Sequence, residues 1–395
     1  MATSTGDPIF DCDNHYYEAL DAFTRHLDKK YGPSIYQWAE INGRKFPVIG
    51  GRVNRAVANP TFNPVTPAGA LYEYFRGNPE RKTPLDYMMV SEPIRPEYRD
   101  RDARLARMDE QGLEQIWLFP TLGMLYEEEL KHDPKAVSIL FTAFNRWLDE
   151  DWGLNYRDRI FAGPYISLAD VTWACRELEW ALDHDARTIV MRAAAPFTAE
   201  GFLSPFDPTF DPFWARVNEA GITVVIHAGS TGYSSNGYAE ESFSASFREG
   251  VWKPTVKSFA IERAAQDFIL ASIFEKLFDR FPNVRMASVE NGSEFLSDVC
   301  RKVTSTAKKS PGYFTTDPVE SLRAGWWINP FWEDDVHAVA QIMGADHVLF
   351  GSDWPHIEAL PDPAAYENDL KAFDDVERRR ILHDNTAFLN LRRPV

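Results

Sequence analysis

Cysteine is scarce: Cys12, Cys175 and Cys300 are the three in 395 residues, too widely spaced for a disulfide framework or a zinc ribbon. Positive charge is also short. The 42 Lys and Arg face 59 Asp and Glu, a formal charge of −17 that argues against a nucleic-acid or anionic-membrane partner. No apolar run approaches a membrane span, and the opening residues lack the basic patch and apolar stretch of a secretory leader. No Gly-x-Gly-x-x-Gly turn follows a predicted strand and no Gly-Lys-Ser/Thr loop occurs, so the usual nucleotide signatures are missing. Nor is there an internal repeat of about 20 to 50 residues. These absences lead to the expectation of a soluble, cytoplasmic protein that acts on a small molecule, with no nucleic acid and no membrane among its partners.

What is present is ordinary globular chemistry, 44% hydrophobic and 26% charged. Aromatics reach 14%, enough to line an apolar pocket as well as fill a core. Apolar runs at 8–15, 115–120, 160–166, 188–192, 222–228, 282–290, 325–331 and 347–356 read as eight strands. Between most of them lie helical patterns. The clearest starts at Asp133-Pro134, an N-cap with Pro at the first position, and carries Val137, Leu140, Phe141, Phe144, Trp147 and Leu148 on one face. Strands alternating with helices predict an α/β chain, a (β/α)8 TIM barrel formed as a single domain over 1–395. Two stretches fall outside the alternation, 16–97 and 229–257, and both are rich in Pro, Gly or Ser together with aromatics. They read as long loop insertions, the first with a short helix near its start, placed to cover the barrel mouth or a subunit interface.

A barrel brings the C-terminal ends of its strands together. At those ends stand Asp13 and His15 on the first strand, Arg192 on the fourth, His227 on the fifth, Glu290 on the sixth and Asp353 on the eighth. Asp11, Asp13 and His15 alternate onto one strand face, and closure makes the first and eighth strands neighbours. Two imidazoles and several carboxylates suit a divalent ion such as Zn, Mn or Fe. Simpler roles compete with this one. A lone His at a strand end is usually structural, Glu290 could only orient a neighbouring imidazole, and Arg192 could pair with an acid inside the barrel.

At these residues the chain resembles a known group. Phe10-Asp11-Cys12-Asp13-Asn14-His15, the strand-end His227, Trp327-Ile328-Asn329-Pro330-Phe331, Gly351-Ser352-Asp353-Trp354-Pro355-His356 and Leu382-His383-Asp384-Asn385-Thr386 are similar to motifs of the amidohydrolase superfamily. The nearest branch is the amidohydrolase-2 type, which holds metal-dependent hydrolases and aminocarboxymuconate-semialdehyde- or resorcylate-type decarboxylases. The likeness runs from residue 8 to about 391, interrupted by the two insertions. It implies a barrel in which His15, His227 and Asp353 are metal ligands, and Asp13 stands where many relatives have His or Glu. Glu290 departs from the pattern, since many members carry a catalytic His there. Its extra carboxylate raises the prospect of a second ion, with Glu290 bridging and His356 or Glu358 as further ligands.

The expected enzyme is thus a metal-dependent hydrolase or non-oxidative decarboxylase for an apolar or aromatic carboxylic substrate. Asp353 and Glu290 would be catalytic, and Arg192 would orient the anionic end. The alternative is an iron-dependent, possibly di-iron oxygenase on the same barrel. Family likeness also implies a homo-oligomer.

Overall fold

The computed structural model describes residues 8–233, 256 and 260–392. Most of the expected insertion at 229–257, with Tyr238, Phe243 and Trp252, lies outside them. Seven parallel strands carry the fold: β1 (Ile9–Tyr16), β2 (Leu113–Pro120), β3 (Ile160–Ala162), β4 (Thr188–Arg192), β5 (Thr223–His227), β6 (Arg285–Val289) and β7 (Trp326–Ile328). They form two sheets, one ordered β1-β2-β3 and the other β7-β6-β5-β4. A single bridge from Tyr165 to Val190 joins β4 to the segment after β3. On the other side the stretch 347–356 bridges Ile328 through Val348 and Asn14 through Trp354.

Local sequence accounts for these elements. The strands β1, β4, β5 and β6 are buried at every position, which parallel strands covered on both faces require. Asp100, Asp133 and Asp170 accept hydrogen bonds from the first turns of the helices Arg101–Gln111, Pro134–Asp151 and Val171–Asp183. Gly112 ends the first of these at φ 72°, a left-handed step that glycine takes without strain. The buried apolar residues of both sheets and their helices form one contiguous core. Among the described residues no helix is long and apolar enough to cross a membrane.

Two expectations need correction. The segment 16–97 does not lack regular structure: Tyr36–Ile41, Arg44–Ile49 and Arg52–Val53 make a small antiparallel sheet. Near its start the chain forms turns and one short 3-10 helix, Lys29–Tyr31, in place of the expected amphipathic helix. The eighth strand is likewise no ladder strand. It begins as the 3-10 turn Ala345–His347 and continues extended, with Asp353 in the left-handed region at φ 59°. Its bonds to β1 are separate contacts, Cys12 N to Phe350 O at 2.9 Å, Asp353 N to Asp13 O at 2.9 Å and His15 N to Trp354 O at 2.8 Å. A side chain at Gly351 would put its Cβ 2.5 Å from the Cβ of Asp13, so glycine is what allows this close pass.

Asp11 secures the same junction from below. Its buried carboxylate accepts from Ser352 N at 2.9 Å, Ser352 Oγ at 2.5 Å, Asn14 Nδ2 at 2.6 Å and Asp13 N at 3.1 Å. Burial pushes its pKa up to about 7 against those bonds. The fully buried Arg104 holds the far end of β1, donating to His15 O at 2.6 Å and Glu97 O at 2.8 Å while it lies over the Trp354 ring. Truncating Asp11 leaves several buried donors unpaired. The variant Asp11→Ala is expected to lose about 2–4 kcal/mol in urea unfolding, and a loss below about 1 kcal/mol would remove this junction as a stabilising feature.

Candidate metal centre

Five strand-end residues meet at one end of the sheets. His15 Nε2 lies 3.2 Å from Asp13 Oδ1, 3.3 Å from Asp353 Oδ1 and 3.6 Å from Glu290 Oε2. His227 Nε2 lies 3.4 Å from Asp13 Oδ1 and 3.4 Å from Glu290 Oε2. Two overlapping groups of donors result, Asp13, His15, His227 and Glu290, then His15, Glu290, Asp353 and His356. Glu290 leaves its strand at φ 57°, so both late carboxylates are aimed by left-handed turns.

The spacing fits a divalent ion. With metal bonds of about 2.0–2.2 Å, adjacent donors in tetrahedral or octahedral arrangement lie about 2.9–3.6 Å apart, the range seen here. Hydrogen placement agrees. His227 Nδ1 is 2.9 Å from the Ala228 carbonyl, which can only accept, so a ring carrying one proton holds it there and turns a bare Nε2 toward two carboxylates. Lone pairs facing lone pairs call for a cation. Both nitrogens of His15 are buried without a hydrogen-bond partner, as donors reserved for an ion would be.

Charge points the same way. Burial and then Glu290, Glu358 and Asp13 drive the Asp353 pKa well above the carboxylate range. Burial opposes charge on His15 too, yet the nearby carboxylates of Asp13 and Glu290 outweigh that and lift it to about 10. Burial followed by Glu290 pushes Glu358 up to about 7. So many acids at one point are held in check only by positive charge, whether protons or an ion.

His356, a member of the second group, is also paired with Asp353. Its Nδ1 is 2.6 Å from Asp353 Oδ1 and its ring stacks on His15 at 3.9 Å. Thr121 Oγ1 donates to Tyr16 O at 2.8 Å, so it must accept the Nε2–H of His356 at 2.9 Å. Burial and His15 hold the His356 pKa well below its usual value. A neutral ring with its proton on Nε2 then faces Asp353 with a lone pair, and one further proton must lie between the two. Thr121, at the end of β2, and Glu358 were not placed among the strand-end residues by the sequence reading. A polar residue just past a predicted strand end was the available signal for Thr121.

Arg192 is not brought to the group. It is 4% exposed, donates to Glu128 Oε2 at 2.6 Å and Ser230 O at 2.8 Å, and faces Glu127 Oε1 at 3.4 Å. With two carboxylates on its guanidinium, it has the internal pairing that competed with a substrate role in the sequence. His383, in one of the motifs that carry the resemblance, contacts Asp384 at 2.8 Å.

Four of the donors, His15, His227, Glu290 and His356, form part of the wall of a cavity of about 680 Å³, shared with Tyr17, Thr121, Met124 and Glu358. The family described as Amidohydrolase matches residues 11–389. An amidohydrolase from Mycobacterium avium subsp. paratuberculosis is 40% identical, with 97% of this chain and 99% of that one covered and a TM-score of 0.90. The 5-carboxyvanillate decarboxylase of Novosphingobium aromaticivorans, solved with manganese and a nitrobenzoic acid, is 14% identical over 98% of this chain and 99% of that one, TM-score 0.61. A dihydroxybenzoic acid decarboxylase of Polaromonas, with manganese and 2-nitroresorcinol, is 17% identical over 81% and 93%, TM-score 0.60. No curated protein matched. The alternative of an iron-dependent oxygenase finds no support in these comparisons.

Metal addition tests the centre directly. Mn²⁺ at about 100 times its Kd is expected to stabilise the protein by about 2.7 kcal/mol, read from thermal unfolding. His15→Ala should abolish this gain and His383→Ala should keep it; an unchanged gain in His15→Ala would dismiss the centre.

Proposed function

Because this chain belongs to the amidohydrolase family and is an enzyme of that metal-dependent type, we propose that it is a non-oxidative decarboxylase of an aromatic carboxylic acid. The observation that carries the reading is the Asp353–His356 pair, 2.6 Å apart, set beside the donor group with His356 on the cavity wall. We further propose that the two sheets close as a (β/α)8 barrel in a single domain; the single bridges at Tyr165, Val348 and Trp354 support closure.

Asp13, His15, His227 and Asp353 would hold the ion, with Glu290 at its edge. A divalent ion bound there supplies a Lewis acid for a substrate carboxylate or phenolate oxygen. The apolar cavity wall keeps water from the ring. As the bond from ring to carboxyl carbon breaks, its electron pair stays on the ring carbon and CO₂ departs. That ring carbon takes one proton from the Asp353–His356 pair, which solvent then restores. Thr121 keeps the second nitrogen of His356 protonated, so the proton is passed from the Asp353 side.

Glu290 favours a second reading, hydrolysis, because a carboxylate at that position can accept a proton from water. The two separate cleanly. Mn²⁺-loaded enzyme given hydroxybenzoic acids in D₂O should release CO₂ and place one deuterium on the product ring. Transfer of ¹⁸O from labelled water to product, with no CO₂, would establish hydrolysis in its place. Asp353→Asn should lower kcat by about 10²- to 10⁴-fold while metal content stays near that of the parent. Full activity in that variant would exclude Asp353 from proton transfer.

A further inference from the structure

The cavity is much larger than the head group the metal centre addresses. A void of about 150 Å³ suffices for a benzene ring, whereas this one measures about 680 Å³. The acids and histidines of its lining are His15, His227, Glu290, His356 and Glu358, with Thr121 beside His356. The first insertion lines it with the apolar Val57, Phe62, Val65, Leu85 and Met88 and the uncharged polar Asn59 and Thr66. Among the described residues the cavity lining includes no Lys or Arg, and its acids, Glu290 and Glu358, both sit at the metal end. A second anionic group on the substrate would find no cation along this wall.

We propose that the substrate is an aromatic hydroxy acid carrying a long uncharged hydrocarbon substituent. Its acid end is held at the cavity face of the metal centre, beside His15 and His227, and its substituent lies along the insertion residues from Val57 to Met88. The acid head rests on the decarboxylase reading; the hydrocarbon tail rests on the cavity alone. The insertion, and not the metal centre, then sets which acids are accepted.

A binding series tests the tail without requiring turnover. Calorimetry of the Mn²⁺-loaded protein with resorcinols bearing methyl, propyl, pentyl and heptyl groups should show Kd falling about two- to fourfold per added CH₂. Met88→Glu, which charges the wall, and Val57→Trp, which fills it, should each erase the gain from methyl to heptyl. Methylresorcinol should bind both variants within about twofold of the parent, which also reports that they are folded. Affinity that is flat or weaker with chain length overturns the proposal. The matching alkyl dihydroxybenzoic acids are then assayed for CO₂. Tighter binding with chain length but no CO₂ keeps the tail and defeats the decarboxylase reading; CO₂ release with no dependence on chain length does the reverse.

Discussion

Crowded negative charge is the constraint on which this structure turns. Asp13, Glu290, Asp353 and Glu358 approach one another in a place with little water, and each ionised carboxylate makes the next harder to ionise. Such an arrangement persists only when something positive is shared among them. Two imidazoles presenting nitrogen to those oxygens are the right companions for an ion and poor companions for each other. The surrounding fold is arranged to keep them there. Asp11 ties Ser352 to β1, Arg104 clamps the carbonyl of His15, and Gly351 admits the last segment close against Asp13.

Much of this was legible from residue order. Parallel strands buried on both faces leave apolar runs, and Asp-Pro or Asp caps announce the helices, so seven of the eight strands and the residues at their ends could be placed. Asp13, His15, His227, Glu290 and Asp353 were named from strand ends alone, and they do converge. The eighth segment defeated the strand reading because its apolar run resembles a strand while Gly351 and the left-handed Asp353 forbid a regular ladder. The small sheet at 36–53 was hidden because its strands show no two-residue burial period: Arg44–Ile49 is buried along its last four residues and Tyr36–Ile41 only at its first.

Partners at long range were beyond reach. Arg192 sits at a strand end as expected, but its acids come from the helix Gly123–Leu130, whose three successive glutamates show no apolar face in the sequence. Burial of Glu127 against Tyr165 and Arg192 is a tertiary fact with no local signature. Thr121 was missed for a similar reason, since its value depends on which way one hydroxyl hydrogen points. The first insertion was seen as a cover for the mouth. Its apolar inner wall could be recognised only once Phe62, Leu85 and Met88 were found facing the same space.

The carbonyl that takes the Thr121 hydrogen belongs to Tyr16, the residue after His15 on β1. One strand therefore carries two of the clustered donors, Asp13 and His15, and also dictates, through a single hydroxyl, which nitrogen of the neighbouring imidazole is bare. A slip of that strand by one residue would displace Asp13, His15 and the Tyr16 carbonyl together.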